Sequence, residues 1–263
     1  MDQHEGGFPA AGQFVTQADA VDLIQFMANV RSLFWFGGYA EPDASCQRYC
    51  ESARMTQTMI LHWSPRSPYV RKVMIAIAEM GLQDRIRTVR TVAGGTTPHW
   101  ELMKVNPVGK IPTLELADGT AIYDSPVIIE YLDTLHDGPK LYPAAWPERL
   151  TALRRHALGQ GMLDNALPLL AEGFRPAERQ SEPHKDLWRA KLVACVAALE
   201  GEAEALASSG FTVGHLAIGV ALGYLDFRFA SLAWRDGHPR LAAWYETFNA
   251  RPAVQLNMPV DDR

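Results

Sequence analysis

From residue 59 onward the hydrophobic pattern changes period several times, and each change marks a new element. Met59-Ile60-Leu61-His62-Trp63 is mostly apolar and free of turn residues, which predicts a short strand. Two Ser-Pro steps, Ser64-Pro65 and Ser67-Pro68, break it. Val70, Val73, Met74 and Ile77 then fall at i, i+3, i+4 and i+7, the stripe of an amphipathic helix. Ser67 stands where an N-cap belongs, Pro68 at the first helical position, and Gly81 closes the helix. Residues 86–92 alternate apolar and polar and predict a second strand. Trp100, Leu102 and Met103 suggest a short helix over 98–104. Asn106-Pro107-Val108-Gly109-Lys110-Ile111-Pro112 is a constrained loop feeding a strand at 113–116. Asp118-Gly119 signals a hairpin to a strand at 121–123. Asp124-Ser125-Pro126 repeats the device of a Ser cap with Pro at the first helical position. Val127, Ile128, Tyr131, Leu132 and Leu135 give that helix its stripe. A β-α-β half joined to a β-β-α half predicts a mixed four-stranded sheet, parallel in the first half and antiparallel in the hairpin.

After a Pro-rich linker at 138–147, every long segment has helical period. One helix is expected over 149–170, weakened by Gly159, Gly161 and Pro168. Another is expected over 185–206, with Leu187, Ala190, Val193, Ala194 and Ala197 inward. Residues 213–230 are apolar nearly all round, which predicts a buried central helix, and 239–249 follow with Leu241, Trp244, Tyr245 and Phe248. Residues 1–58 read differently. Glycines and prolines punctuate them, one helix is possible over 18–30, and Leu33-Phe34-Trp35-Phe36 is an isolated apolar patch. Met55 or Met59 immediately precedes the first strand, so translation starting there is the simplest expectation, with the preceding residues upstream sequence or a poorly structured extension. The expected division is an extension (1–58), an α/β domain (59–137), a linker (138–147) and an all-helical domain (148–263).

Composition narrows the function classes. The 263 residues are 48% hydrophobic and 21% charged, with a formal net charge of -5. No basic run marks a nucleic-acid surface, no stretch nears the ~18 apolar residues of a membrane span, and the acidic start lacks a secretion signal. Three cysteines (Cys46, Cys50 and Cys195) are no disulfide framework, which fits a reducing, cytoplasmic setting. Cys46, Cys50 and the distant His4 do not make a convincing ligand set, and no metal is expected.

Read alone, Ser67 caps a helix, Asp124-Ser125 caps another, and Lys110 is a solvated loop charge. Four motifs taken in order resemble a known family. Ser67-Pro68-Tyr69-Val70-Arg71-Lys72-Val73 is similar to the Ser-Pro-Phe-Val motif of serine-type cytosolic glutathione S-transferases. Asn106 through Pro112 is similar to the loop ending in that family's cis-proline. Asp124-Ser125 ahead of an apolar helix resembles its acidic-Ser pair, and Phe211-Thr212-Val213 resembles the capping box of its second domain. Gly223-Tyr224-Leu225-Asp226-Phe227-Arg228 further resembles a bacterial, YibF-like subgroup. The resemblance covers about 200 residues from Met59 on. Where the family's capping box usually ends in Asp, this chain has His215. Either a neutral imidazole accepts from the Thr212 amide, or Thr212 caps alone. No cysteine lies near 64–69, which removes a dithiol mechanism at that place.

The resemblance implies a thioredoxin-like domain followed by an all-α domain, glutathione as co-substrate, and a homodimer. It implies that Ser67 donates to the glutathione sulfur, with Ser64 the rival. Ile111 would present its backbone to the cysteinyl part, aimed by a cis Pro112. Asp124 would pair with the γ-glutamyl ammonium, Ser125 would take the γ-glutamyl carboxylate, and Lys110 would meet the glycine carboxylate. The electrophile pocket is expected beside Tyr69, Trp146 and residues 154–163. His62 packs or points outward. Two functions follow: a transferase that attacks a small electrophile, or a non-catalytic glutathione-binding scaffold acting through protein contacts.

Overall fold

The computed structural model describes residues 58–262. The expected helix at 18–30 and the Cys46, Cys50 and His4 trio lie outside them. A four-stranded sheet runs in the order β2-β1-β3-β4. Strand β1 (Met59–Trp63) pairs parallel with β2 (Ile86–Arg90), Met59 opposite Ile86. On its other edge β1 pairs antiparallel with β3 (Thr113–Glu115), Leu61 opposite Leu114. The hairpin to β4 (Ala121–Ile122) turns at Gly119, whose φ of 85° only glycine adopts easily, while Asp118 Oδ1 accepts from the Thr120 amide. The mixed topology is the one the patterning predicts. Leu61 and Leu114 in its centre are fully buried.

Helix α1 (Pro68–Glu79) follows β1, and α2 (Trp100–Val105) precedes the 106–112 loop. Helix α3 (Ser125–Asp133) follows β4 and packs beside α1. The helical part comprises α4 (Trp146–Gly173), α5 (Glu182–Ser208), α6 (Val213–Arg228), α7 (Pro239–Asn249) and the short α8 (Pro252–Gln255). As expected, α6 is central: every residue from Val213 to Leu225 is buried, and it packs on both α4 and α1. Its start resolves the His215 question. The Thr212 amide donates to His215 Nδ1 at 3.1 Å, so this imidazole is neutral and completes the box.

Two expectations about helices fail for physical reasons. Helix α4 begins at Trp146 rather than 149 and runs unbroken through Gly159, Gly161 and Pro168. Its N-cap is Ala145, which offers no side-chain oxygen, so the start is marked only by Pro147 and Glu148 in the first turn, which the Pro-rich linker masks. Gly159 is a contact point, not a weakness. A Cβ there would lie 2.5 Å from the Ala217 carbonyl carbon, so the α4 and α6 backbones touch. On α5 the buried face is Leu192, Val196, Leu199, Ala203 and Leu206, whereas Leu187 and Val193 are half exposed and Ala190, Ala194 and Ala197 face solvent. This helix is apolar on both sides. The face with more large side chains wins because buried area scales with side-chain size.

Candidate functional site

Three pieces of chain converge on the start of α1. The loop after β1 is folded tightly, with the Ser67 amide donating to the Ser64 carbonyl at 3.2 Å. Ser67 is the N-cap: its Oγ accepts from the Val70 amide at 3.3 Å. Because the oxygen faces the helix, the hydroxyl hydrogen is left to donate outward, at the end where the dipole places about half a positive charge. Ser64 is buried, and its Oγ accepts from the Arg66 amide at 3.4 Å. It sits three residues before the N-cap and lacks that field.

The second piece is the start of α3, where the expected Ser cap is corrected. Asp124 holds the N-cap position and Ser125 is the first helical residue. The register moves by one because Pro126 fits equally well at the second helical position. Asp124 is exposed and makes no side-chain bond to the helix. Ser125 is completely buried, and its Oγ has no hydrogen-bond partner. An unpartnered buried hydroxyl costs about 1–3 kcal/mol, so neither side chain is serving as a plain cap.

The third piece is the 106–112 loop. Asn106, almost fully buried, donates to Thr113 Oγ1 at 2.8 Å and to the Lys110 carbonyl at 3.2 Å, and accepts from the Val108 amide at 3.0 Å. One side chain thus fixes the loop from within. Gly109 turns with φ 66°, Ile111–Pro112 is cis, and the Lys110 side chain is exposed. His62 sits across the sheet between Glu115 (2.7 Å) and Thr91 (3.0 Å).

A polar cluster joins α1 to α4; sequence reasoning placed its Tyr69 and the stretch holding Gln160 at the electrophile pocket but gave Lys72 and Asp164 no role. The Tyr69 hydroxyl donates to Asp164. Burial and that carboxylate push the phenol further up from its already high range, so Tyr69 stays protonated and is no base. Lys72 is fully buried, donates to Gln160 and lies over the Tyr69 ring. Burial pushes its ammonium down to about 8, opposed by the nearby carboxylates of Asp124 and Asp164. His156, buried beside it, is pushed down to about 4, first by burial and then by Lys72. Trp146 is not brought to Tyr69. It is 62% exposed at the start of α4, and Asp164 lies 18 residues on, roughly 27 Å along the helix. The Gln160-Asp164 pair at i, i+4 was the available signal.

Among the described residues no cluster of three or more His, Cys, Asp or Glu is placed to hold a metal, and no helix is long and apolar enough to cross a membrane. The family model described as "Glutathione S-transferase, N-terminal domain" matches residues 66–135, and "Glutathione S-transferase, C-terminal domain" matches 182–247. The chain is 30% identical over 204 residues to "Uncharacterized GST-like protein YibF" of Escherichia coli K12, covering 76% of this chain and 98% of that one. A glutathione transferase family member from Pseudomonas fluorescens Pf-5, solved with bound glutathione, is 38% identical with a TM-score of 0.75, over 78% of this chain and 100% of that one. A glutathione S-transferase from Methylobacillus flagellatus KT, also solved with glutathione, is 32% identical with a TM-score of 0.71, over 77% and 100%.

Proposed function

Because the chain belongs to the glutathione S-transferase family, we propose that it binds glutathione and activates its thiol for attack on a small electrophile. The observation that carries this reading is Ser125. A buried, unpartnered hydroxyl at the start of a nine-residue helix lacks an anion, and the γ-glutamyl carboxylate supplies one. The exposed Asp124 carboxylate beside it takes the γ-glutamyl ammonium. The Ile111 backbone at the end of the 106–112 loop pairs with the cysteinyl part as an added strand would. Lys110, exposed on the same loop, meets the glycine carboxylate.

That arrangement delivers the sulfur to Ser67. A free thiol has a pKa near ~8.5 and is a weak nucleophile while protonated. The Ser67 hydroxyl donates to the sulfur, and the helix start adds roughly 0.3–1 kcal/mol in favour of the anion. Each ~1.4 kcal/mol lowers the thiol pKa by about one unit, so a drop of one to two units needs no cationic side chain. The thiolate attacks the electrophile directly, and no covalent enzyme intermediate forms. Tyr69, Gln160 and Asp164 border the space where the electrophile enters. The family resemblance further supports a homodimer and a cytoplasmic location, with detoxification of electrophiles as the physiological role.

The test is thiolate absorbance of bound glutathione, followed by turnover on a panel of electrophiles. Ser67→Ala should raise the pKa of the bound thiol and lower kcat/KM while glutathione affinity changes little. A thiolate and turnover that persist unchanged in Ser67→Ala would assign the activation to other groups. Binding of glutathione without thiolate or turnover would favour the scaffold.

A further inference from the structure

The segment after α8, residues 257–262, lies back along the loop that carries Ser67. Its attachment begins on α1. The buried Arg71 donates through Nε to the Asn257 carbonyl at 2.8 Å and through Nη2 to Met258 Sδ at 3.4 Å. Gly223 of the central helix leaves the space this guanidinium needs, since a Cβ there would lie 2.6 Å from an Arg71 nitrogen. Two residues further on, the Val260 amide faces the Pro65 carbonyl at 3.4 Å. Asp261 pairs with Arg228 on α6 at 2.7 Å. Asp262 then makes a double contact: one oxygen holds Arg66 at 3.0 Å, and the other holds Arg90 at the end of β2 at 2.6 Å.

Pro65 and Arg66 are the only residues between Ser64 and Ser67, and the segment touches both, one by its carbonyl and the other by its side chain. Apart from it, the hydrogen bonds of this stretch among the described residues are the Ser67–Ser64 backbone bond and the Arg66–Ser64 contact, with Ser67 itself tied to α1 by the Val70 and Arg71 amides. We propose that residues 257–262 form a strap that sets the position of the Ser67 hydroxyl, with Asp262 as its positioning residue, an inference that rests on the reading of Ser67 above. Asp262 acts through Arg66 and Arg90. It ties Arg66 to the rigid end of β2, so the loop cannot drift away from the sheet. A donor hydrogen bond weakens steeply as its angle opens, so a small drift of the Ser67 hydroxyl is enough to lose its hold on a thiolate.

The Asp262 pairs are about one-third exposed, so salt should screen them. The test compares the full chain with Asp262→Asn, using Glu202→Gln as a control that removes an equivalent charge on α5 far from the loop. Asp262→Asn should raise the pKa of bound glutathione and lower kcat about three- to ten-fold at pH 7, leaving glutathione affinity within two-fold. High salt should lower kcat of the parent toward that of the variant and leave the variant itself unmoved. Asp262→Glu should restore part of the loss. Hydrogen exchange of the amides at 64–70 should speed up in Asp262→Asn and stay unchanged in Glu202→Gln. This last measurement reads the strap even if no thiolate forms in the parent, so failure of the Ser67 reading and failure of the strap are told apart. Unchanged exchange at 64–70 overturns the strap. Faster exchange with an unmoved thiol pKa and kcat overturns the positioning role.

Discussion

Two helices of the α/β half begin with the same dipeptide, Ser-Pro, and the two serines end in different states. Ser67 is a true N-cap whose oxygen is engaged by the Val70 amide. Ser125 has slipped one position into its helix, is completely buried and holds nothing. The shift is decided by what precedes each serine. Before Ser125 stands Asp124, which can occupy the cap position in its place. Before Ser67 stands Arg66, which cannot. A capping serine contributes to its own helix and keeps its hydrogen for a ligand. A buried serine without a partner costs stability until a ligand arrives. The first suits tuning of a thiol, the second suits binding.

A third helix start sharpens the contrast, because it titrates. The Thr212 amide depends on a neutral His215, and burial holds His215 and His156 down at about 4. Both imidazoles take up their proton at lower pH in the folded state than in the unfolded chain. Their stabilisation is therefore complete above pH 6.5 and is lost as pH falls through the window from 6.5 to 4. Denaturant unfolding at pH 7 and pH 4.5 should show a loss on the order of 3 kcal/mol per histidine over the whole window. His215→Asp, the residue usual in the resembling family, should remove about half of that slope, leaving the His156 share, while the two serine starts stay unaffected. A slope equal in variant and parent would break the assignment.

Next in size is the catalytic difference between the serines. On the proposed reading, Ser67→Ala should remove one charge-assisted hydrogen bond worth roughly 1.5–3 kcal/mol, which is about ten- to a hundred-fold in kcat/KM. Ser125→Ala should instead raise the dissociation constant for glutathione about ten-fold and leave the pKa of whatever thiol binds unchanged; titration calorimetry and thiolate absorbance separate the two. Smaller still is an opposition of sign. Thermal unfolding without glutathione should show Ser67→Ala less stable by about 1 kcal/mol, the value of a lost cap, and Ser125→Ala as stable as the parent or more so. Equal destabilisation by both would mean that Ser125 has a partner in solution. The smallest effect is reserved for Ser64→Ala, expected to leave thiolate formation and turnover nearly unchanged.

Much of this was legible in the sequence. The period changes from 59 to 135 place the four strands and the helices between them, and the nearly all-apolar run after Thr212 marks the buried helix. The Ser-Pro, Pro-Val-Gly-Lys-Ile-Pro and Asp-Ser motifs locate the pieces that assemble the site. Illegible features depend on partners distant in the chain. Lys72 reads as a surface charge until Gln160, 88 residues on, is seen to receive it. On α5 two apolar faces compete, and periodicity cannot rank them. Trp146 looks like a pocket residue only while its helix is thought to begin after it.

The touching backbones of α4 and α6 at Gly159 have a consequence for how substrate range can change. Gln160 is the very next residue, and Asp164 is little more than one turn on. The clearance between those side chains and Tyr69 is thus gauged by a glycine packed on the α6 backbone. A single methyl at 159 would wedge the helices apart and shift both polar groups together, as a shim shifts a hinge. On the proposed reading, altered electrophile preference in laboratory selection should therefore arise at this spacer and at Ala217 facing it, as well as at Tyr69, Gln160 and Asp164.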